Sequence, residues 1–216
     1  MKACIFDLDG VIVDTAKYHY LAWKRLAAEM GFDFSEAHNE RLKGVSRMRS
    51  LEILLEVGNI KRTDEEMEEL ATKKNDWYVE YIRQLRPDEI LPGVQKFLDE
   101  LRMNGLKTAI GSASKNTPLI LERLNLSEFF DAVIDGTKVS QAKPDPEVFL
   151  KGAEELGVNP EQCIVFEDAQ AGIEAAKNGN MYCVGVGKPE NLNGYDYLIA
   201  GFEGVSFKNI VNNLKK

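Results

Sequence analysis

The chain is 216 residues long, with 44% hydrophobic residues and a formal net charge of −8. This length fits one domain with a modest insertion, and the hydrophobic content supports a sizeable core and excludes a disordered chain. The acidic balance disfavours nucleic acid and anionic membranes as partners. No apolar run approaches the roughly 20 residues that cross a bilayer, and the N-terminal run lacks a signal-peptide layout. We therefore expect a cytoplasmic protein.

The chain opens with a short apolar run, Ala3–Phe6, that predicts a buried strand. Asp7 and Asp9 follow, two residues apart and just before Gly10. Side chains two apart in extended chain point the same way, and two like charges repel unless a cation neutralises them. Mg2+ prefers such oxygen ligands, and the pair could supply a nucleophile and a general acid/base. Taken alone, the pair also fits a solvated turn.

The segment from about residue 16 to residue 88 shows helical periodicity and no convincing strand. Thr63 and Asp64 are typical of a helix start, and the apolar residues that follow fall on one helical stripe. The members of this stripe are Met67, Leu70, Ala71, Tyr78, Tyr81, Ile82 and Leu85. Trp23 and Trp77 are expected in the same core. We predict a small helical bundle inserted after the first strand, with hinges near residues 15–16 and 87–92.

From about residue 90, short apolar strands alternate with amphipathic helices. The predicted strands are Lys107–Gly111, Ala132–Ile134, Cys163–Phe166 and Tyr182–Val186. The predicted helices are Val94–Met103, Thr117–Leu124, Pro146–Leu156 and Ala169–Asn178. Such alternation predicts a parallel sheet covered on both faces, with a ligand site beyond the carboxyl ends of the strands.

The fold class is therefore predicted as α/β, with a Rossmann-like parallel-sheet core and an inserted helical-bundle cap. The predicted core comprises residues 1–15 and 89–216, and the predicted cap comprises residues 16–88. Cys4, Cys163 and Cys183 all fall in strand-like runs. Their odd number and their spacing favour buried thiols over a disulfide or zinc framework.

Polar or charged residues stand at three later points of the chain where chemistry could occur. Ser112 ends the second strand, where a hydroxyl and backbone N–H groups can bind phosphate or start a helix. Lys143 precedes Pro144, a place where a lysine is most often a solvated surface group. Glu167 and Asp168 end a further strand, where acidic residues also complement a helix dipole. Each residue taken singly leaves both interpretations open.

The order and spacing of these motifs resemble the haloacid dehalogenase-like superfamily of phosphotransferases across the whole chain, in the subgroup with a helical cap. Four segments further resemble the β-phosphoglucomutase family: Leu42-Lys43-Gly44-Val45-Ser46-Arg47, Gly111-Ser112-Ala113-Ser114-Lys115-Asn116, Asp14-Thr15-Ala16 followed by His19, and Glu167-Asp168-Ala169-Gln170-Ala171-Gly172. Without this resemblance, His19 would be interpreted as a packed surface histidine.

The resemblance implies a role for each matching residue. It makes Asp7 the nucleophile and Asp9 the general acid/base, and it places Thr15 and His19 at the hinge, where they help to position Asp9. One Mg2+ is implied, held by Asp7, the backbone carbonyl of Asp9, Glu167 and Asp168. Ser112, Ala113 and Lys143 are implied to hold the transferring phosphoryl group. The sugar and its distal phosphate are implied to contact Gly44, Val45, Arg47, Ser114, Lys115 and Asn116.

The implied reaction interconverts β-D-glucose 1-phosphate and β-D-glucose 6-phosphate through an aspartyl phosphate. β-Glucose 1,6-bisphosphate is the implied intermediate and activator, and the expected protein is a monomer acting on a small phosphosugar. Two alternatives remain at this point. One is a Mg2+-dependent sugar-phosphate phosphatase on the same scaffold, and the other is a phosphosugar-binding module without catalysis.

Overall fold

The computed structural model describes residues 1–42 and 45–214, and its centre is a six-stranded parallel sheet. The strand order is β3-β2-β1-β4-β5-β6. The strands are β1 (Ala3–Phe6), β2 (Lys107–Gly111), β3 (Ala132–Ile134), β4 (Cys163–Glu167), β5 (Tyr182–Val186) and β6 (Tyr197–Ile199). The first strand is therefore central, so the residues that follow it emerge in the middle of the carboxyl edge.

Nine α-helices accompany this sheet in the part of the chain that the structure describes. They are α1 (Ala16–Glu29), α2 (Glu36–Glu40), α3 (Arg47–Gly58), α4 (Asp64–Ile82), α5 (Val94–Met103), α6 (Thr117–Arg123), α7 (Glu147–Leu156), α8 (Gln170–Asn178) and α9 (Phe207–Leu214). No helix within the described ranges is both long and apolar enough to cross a membrane.

The central strands are buried on both faces, which explains their continuous apolar sequence. All four residues of β1 and all five of β4 are buried. On one face, Phe6 stacks on Phe166 with ring centroids 4.7 Å apart, and Phe97 and Phe202 complete an aromatic cluster. Such rings bury large apolar areas, and the cluster fixes the strand ends that carry polar residues. The three cysteines are buried free thiols, as predicted.

Helices α1 to α4 form the helical cap, in which α4 packs against α1 and α3. Trp23 and Trp77 are buried in it, as predicted. The start of α4 is also confirmed. The Thr63 hydroxyl accepts from the backbone N–H of Glu66, and the Glu66 carboxylate accepts from the N–H of Thr63, a capping box that satisfies two helix-end donors.

The chain segments that enter and leave the cap lie side by side. Leu91 N donates to Ile12 O at 2.9 Å. The carboxylate of Glu89 accepts from the Lys17 ammonium at 2.7 Å and from the Tyr18 hydroxyl at 2.6 Å. The two segments that link the core to the cap are therefore held together by hydrogen bonds, near the hinge positions that the sequence predicts.

Two elements were not predicted from the sequence, β6 and α9. They are short, with three and eight residues, and β6 follows β5 without a helix between them, so it falls outside the strand–helix alternation. Small boundary corrections apply elsewhere. The fourth strand extends to Glu167, three helices are one residue shorter than predicted, and Pro146 caps α7 instead of lying in its first turn.

Candidate active site

Polar side chains collect where the central strands end. Asp7 follows β1 and is held in line with β4 by its backbone N–H, which donates to Phe166 O at 2.9 Å. Ser112 follows β2, and its N–H donates to Ile134 O at 3.0 Å. A cavity of about 310 Å³ lies between this edge and the cap. Its lining includes the predicted site residues Asp7, Asp9, His19, Val45, Arg47, Ser112, Ala113, Ser114, Lys115, Asn116, Lys143 and Asp168.

Two of the predicted residues that the structure describes are not in this lining set. Thr15 is fully buried just before α1, and Glu167 is fully buried behind Lys143. Gly44 lies outside the described residues.

A buried lysine joins two of the predicted carboxylates. The Lys143 ammonium donates to Asp7 Oδ1 at 2.6 Å and to Glu167 Oε2 at 2.8 Å. Its exposed fraction is 5%, so the surface interpretation of this lysine is wrong. Burial alone would lower the pKa of Lys143, but the two carboxylates outweigh burial and raise it. Lys143 is therefore a fixed positive charge beside Asp7.

Two glycines make room for the acidic side chains. Gly10 has a left-handed backbone with φ of 81°, and a Cβ there would collide with the Asp168 carboxylate. A Cβ on Gly172 would likewise collide with the Glu167 carboxylate. Glu167 is held further by the backbone N–H of Ala169, which donates to its Oε1 at 3.0 Å. The Asp-x-Asp-Gly and Glu-Asp motifs are thus sterically matched to each other.

The acidic residues could hold a divalent cation. Asp7, Glu167 and Asp168 each offer a carboxylate oxygen, and these oxygens lie within 4.8 Å of one another. Three carboxylates against one nearby lysine leave an excess of negative charge, which a cation would neutralise. An all-oxygen donor set of this kind fits Mg2+. The role of the Asp9 backbone carbonyl stays a prediction.

Asp9 differs from Asp7 in its surroundings. Its Oδ1 is buried and has no hydrogen-bond partner among the described residues. Burial, followed by the negative charge of Asp7, raises the pKa of Asp9 to about 7. Asp7 instead has its own cationic partner in Lys143. The two neighbouring carboxylates therefore have different environments, as a nucleophile and an acid/base require.

His19 faces this cavity next to a residue that the sequence analysis missed. Lys74 Nζ lies 2.8 Å from His19 Nδ1, and the His19 ring stacks on Tyr78 at 4.0 Å between centroids. The Lys74 ammonium also lies 4.3 Å from the Trp23 ring. Burial is the main cause that lowers the pKa of Lys74 and of His19. The second cause is the positive charge of Arg47 for Lys74, and that of Lys74 for His19.

A signal for Lys74 was present in the sequence. Lys74 falls between Ala71 and Tyr78 on the buried stripe of α4, at spacings of three and four residues. An ammonium at a buried helical position is costly unless it is paired or functional. A lysine in an otherwise apolar stripe was therefore the observable clue.

The loop after β2 is tightly fixed. The N–H of Ser114 donates to Ser112 Oγ at 3.1 Å, and the N–H of Asn116 donates to Ser114 Oγ at 3.2 Å. Gly136 packs against it so closely that a Cβ would collide with Ala113 O. The loop thus presents hydroxyl and backbone groups in one arrangement, which suits phosphate binding.

At the cap side of the cavity, three side chains form a hydrogen-bonded group. Arg47 Nη2 donates to Asn75 Oδ1 at 2.8 Å, and Asn116 Nδ2 donates to the same oxygen at 2.9 Å. Arg47 and Asn116 were predicted site residues, whereas Asn75 was not. Lys115 lines the same cavity. The group therefore brings cap and core side chains together around one space.

Comparisons with known proteins agree with this arrangement. The β-phosphoglucomutase of Bacillus subtilis is 45% identical over 201 residues, covering 92% of this chain and 89% of that protein. A phosphorylated carbohydrates phosphatase of Thermotoga maritima is 33% identical, covering 84% of this chain and 82% of that protein.

Among solved structures, a β-phosphoglucomutase from Clostridium difficile superposes with a TM-score of 0.95 at 43% identity, covering 100% of this chain and 97% of that one. The haloacid dehalogenase-like hydrolase family matches residues 1–180. The sequence motifs, the parallel sheet with its helical cap and these matches agree, and the chain belongs to the haloacid dehalogenase-like hydrolase family.

Proposed function

We propose that this protein is a β-phosphoglucomutase, an isomerase that interconverts β-D-glucose 1-phosphate and β-D-glucose 6-phosphate. The observation that carries the proposal is one cavity lined by cationic side chains from separate elements. Lys143 contacts Asp7, while Arg47 begins the cap helix α3 and Lys115 follows β2. A hexose bisphosphate has a phosphate at each end, and we assign Lys143 to the transferring phosphate and Arg47 and Lys115 to the distal one. The 45% identity to a protein of this name supports the same function.

Asp7 is proposed as the nucleophile that carries the phosphoryl group as an aspartyl phosphate. Lys143 contacts one of its oxygens and can neutralise the charge that gathers on the transferring group. Ser112, Ala113 and the backbone of their loop are proposed to bind the phosphoryl oxygens. Phosphoryl transfer depends mainly on such positioning and charge neutralisation.

Asp9 is proposed as the general acid/base. It would protonate the sugar oxygen that leaves a phosphoryl group and deprotonate the hydroxyl that attacks one. Its position beside Asp7 in the cavity supports this role. Thr15 and His19 are proposed to help position Asp9 at the hinge.

Members of the family generally use Mg2+, and the acidic cluster of this chain is consistent with that use. Asp7, Glu167 and Asp168 would hold the ion, together with the backbone carbonyl of Asp9. When bound, Mg2+ supplies positive charge that reduces repulsion between Asp7 and the incoming phosphate.

β-Glucose 1,6-bisphosphate is the proposed intermediate. Phosphorylated Asp7 would donate its phosphoryl group to the free hydroxyl of the monophosphate, and the resulting bisphosphate would rebind in the opposite sense and return its other phosphoryl group to Asp7. The distal site at Arg47, Ser114, Lys115 and Asn116 must then accept either phosphate. Gly44 and Val45 are proposed to contact the sugar from the cap.

We also propose the boundaries of the cap and the core. We place the cap at residues 16–88 and the core at residues 1–15 and 89–216, since α1 begins at Ala16 and a short helical turn spans Pro87–Glu89. We also propose that the protein is a cytoplasmic monomer. We further propose that it does not bind nucleic acid, because its net charge of −8 would repel the phosphate backbone.

The direct test is a coupled assay with β-glucose 1-phosphate, Mg2+ and a trace of β-glucose 1,6-bisphosphate. Formation of glucose 6-phosphate supports the mutase. Release of inorganic phosphate without the isomer would instead assign the phosphatase function, and no turnover of either kind would leave a binding module.

Arg47→Ala separates the mutase from a phosphatase more finely. Loss of the distal-phosphate contact should reduce kcat/KM for β-glucose 1-phosphate by about 30-fold or more, while acetyl phosphate hydrolysis changes little because that donor has no distal phosphate. Arg49→Ala is the matched control, because Arg49 lies on the same helix and is exposed, paired with Glu52. An equal loss for both substrates would contradict the distal role of Arg47.

A further inference from the structure

Asn75 occupies an unusual position in the cavity, between a cationic side chain of the cap and an amide of the core. Its Oδ1 accepts from Arg47 Nη2 at 2.8 Å and from Asn116 Nδ2 at 2.9 Å. Arg47 begins α3, Asn75 lies on α4 and Asn116 immediately precedes α6. Three separate elements therefore meet at one oxygen atom.

The hydrogen-bond chemistry fixes which atoms face each other. A guanidinium has donors and no acceptor, so the Asn75 atom that faces Arg47 must be the carbonyl oxygen. The Asn116 atom within 2.9 Å of that oxygen must then be its amide nitrogen. The contact with Arg47 therefore fixes the orientation of the side-chain amides of Asn75 and Asn116, and both donors contact Asn75 Oδ1.

Two convergent donors on one oxygen form the arrangement that a phosphate oxygen takes in a protein site. Arg47 and Asn116 are also the donors that the proposed distal-phosphate site needs. Asn75 holds them in place without a charge of its own, so an incoming dianion displaces a neutral acceptor, and the negative charge that acts on Arg47 from the same helix is that of the next residue. The carboxylate that follows it in the sequence, Asp76, is exposed.

We infer that Asn75 is a positioning residue for the distal-phosphate site. Its side-chain carbonyl acts as a neutral placeholder for one phosphate oxygen, keeping Arg47 and Asn116 oriented until a hexose phosphate binds between cap and core. This inference rests on the proposed function, because it assigns the ligand of that site as a phosphosugar with a phosphate remote from the reacting group.

The test compares Asn75→Ala, Asn75→Asp and the control Thr72→Ala, which changes an exposed residue one turn earlier on α4. KM and kcat are measured for β-glucose 1-phosphate and for acetyl phosphate, and thermal unfolding is followed in parallel. Asn75→Ala should raise KM for the phosphosugar by about tenfold, with a smaller effect on kcat and little effect on acetyl phosphate. Thr72→Ala should match the wild type.

Asn75→Asp makes the test decisive. An aspartate is isosteric and still accepts both hydrogen bonds, so a structural role alone predicts a KM close to wild type. The placeholder role predicts the opposite, because the carboxylate pairs with Arg47 and repels the phosphate. KM should then exceed that of Asn75→Ala, while the unfolding temperature is unchanged or higher. A phosphosugar KM near wild type in either variant would overturn the inference.

Failure of the proposed function can be told apart from failure of this inference. If wild-type protein releases phosphate from the phosphosugar without isomerising it, the mutase proposal fails, and the ratio of KM values measured on phosphate release still tests Asn75. If wild-type protein turns over neither substrate, the same comparison is made on the dissociation constant for glucose 6-phosphate, measured by calorimetry. Equal affinity for wild type and Asn75→Asp would overturn the inference there too.

Discussion

Lys143→Met is the substitution that most directly tests the electrostatics of the site. Methionine fills a similar volume but removes the ammonium that contacts Asp7 at 2.6 Å and Glu167 at 2.8 Å. At an effective dielectric constant of about 20, each contact is worth about 6 kcal/mol before the cost of desolvation. Substitution leaves two buried carboxylates facing each other without their cation.

The expected cost can be stated as an unfolding temperature. Removing one partner of a buried ion pair costs about 3–5 kcal/mol. For a chain of this size, each kcal/mol lowers the unfolding temperature by about 2–4 °C, so a fall of about 6–20 °C is expected without Mg2+. Saturating Mg2+ should raise the unfolding temperature more in the variant than in the wild type. In the variant the ion neutralises carboxylates that have lost the ammonium of Lys143.

The assay is thermal unfolding of both proteins with and without Mg2+, together with turnover of β-glucose 1-phosphate. Lys138→Met is the control, because Lys138 makes an exposed ion pair with Glu155 and such pairs contribute about 1 kcal/mol or less. Turnover should fall by about 10²–10³-fold in Lys143→Met, the typical loss of one transition-state charge contact. An unfolding temperature within about 2 °C of wild type without Mg2+ would refute the reasoning.

Three further substitutions test neighbouring groups. Asp7→Asn should abolish turnover and phosphoenzyme formation with the fold intact, because an amide is a poor nucleophile and a weaker Mg2+ ligand; intact-protein mass spectrometry after incubation with acetyl phosphate detects the phosphoenzyme. Asp9→Ala should retain Mg2+ binding and lose about 10²–10⁴-fold in kcat, and a loss below tenfold would assign the proton to another group. Lys74→Met should raise the pKa of His19, measured by NMR, because the Lys74 charge is the second cause of its lowered value after burial. An unchanged His19 titration would contradict the contact.

The core of the fold could be predicted because its sequence pattern has one physical cause. Strands buried on both faces must be apolar throughout, and their carboxyl ends meet at one edge. Asp7, Ser112 and Glu167 could therefore be placed together before any contact was known, although they are far apart in sequence. The three-residue strand β6 was missed although its sequence, Tyr-Leu-Ile, is apolar. No helix separates it from β5, so the alternation of strands and helices that indicated the other strands is absent there.

The cap could be predicted as a helical bundle, but neither the contacts between its helices nor its contacts with the core could be predicted. The apolar stripe on α4 shows which face of that helix is buried. It does not show which residues of other elements contact that face. Lys74 meets His19 across 55 positions of sequence, and Asn75 meets Asn116 across 41. Helical periodicity carries no information about such pairs, because it describes one helix and not the docking of one element on another.

The two carboxylates after β1 show how the core and the cap combine in one site. Asp7 receives its cation from the core, through direct contact with Lys143. The positive charges of both Lys143 and Lys74 act against the burial that raises the pKa of Asp9, and Lys74 belongs to the cap. The ion-pair partner of Asp7 is therefore a core residue, whereas the pKa of Asp9 also depends on where α4 lies. If Asp9 is the general acid/base, as we propose, a displacement of α4 that moves Lys74 away would raise the pKa of Asp9, because one of the two positive charges that lower it would be lost.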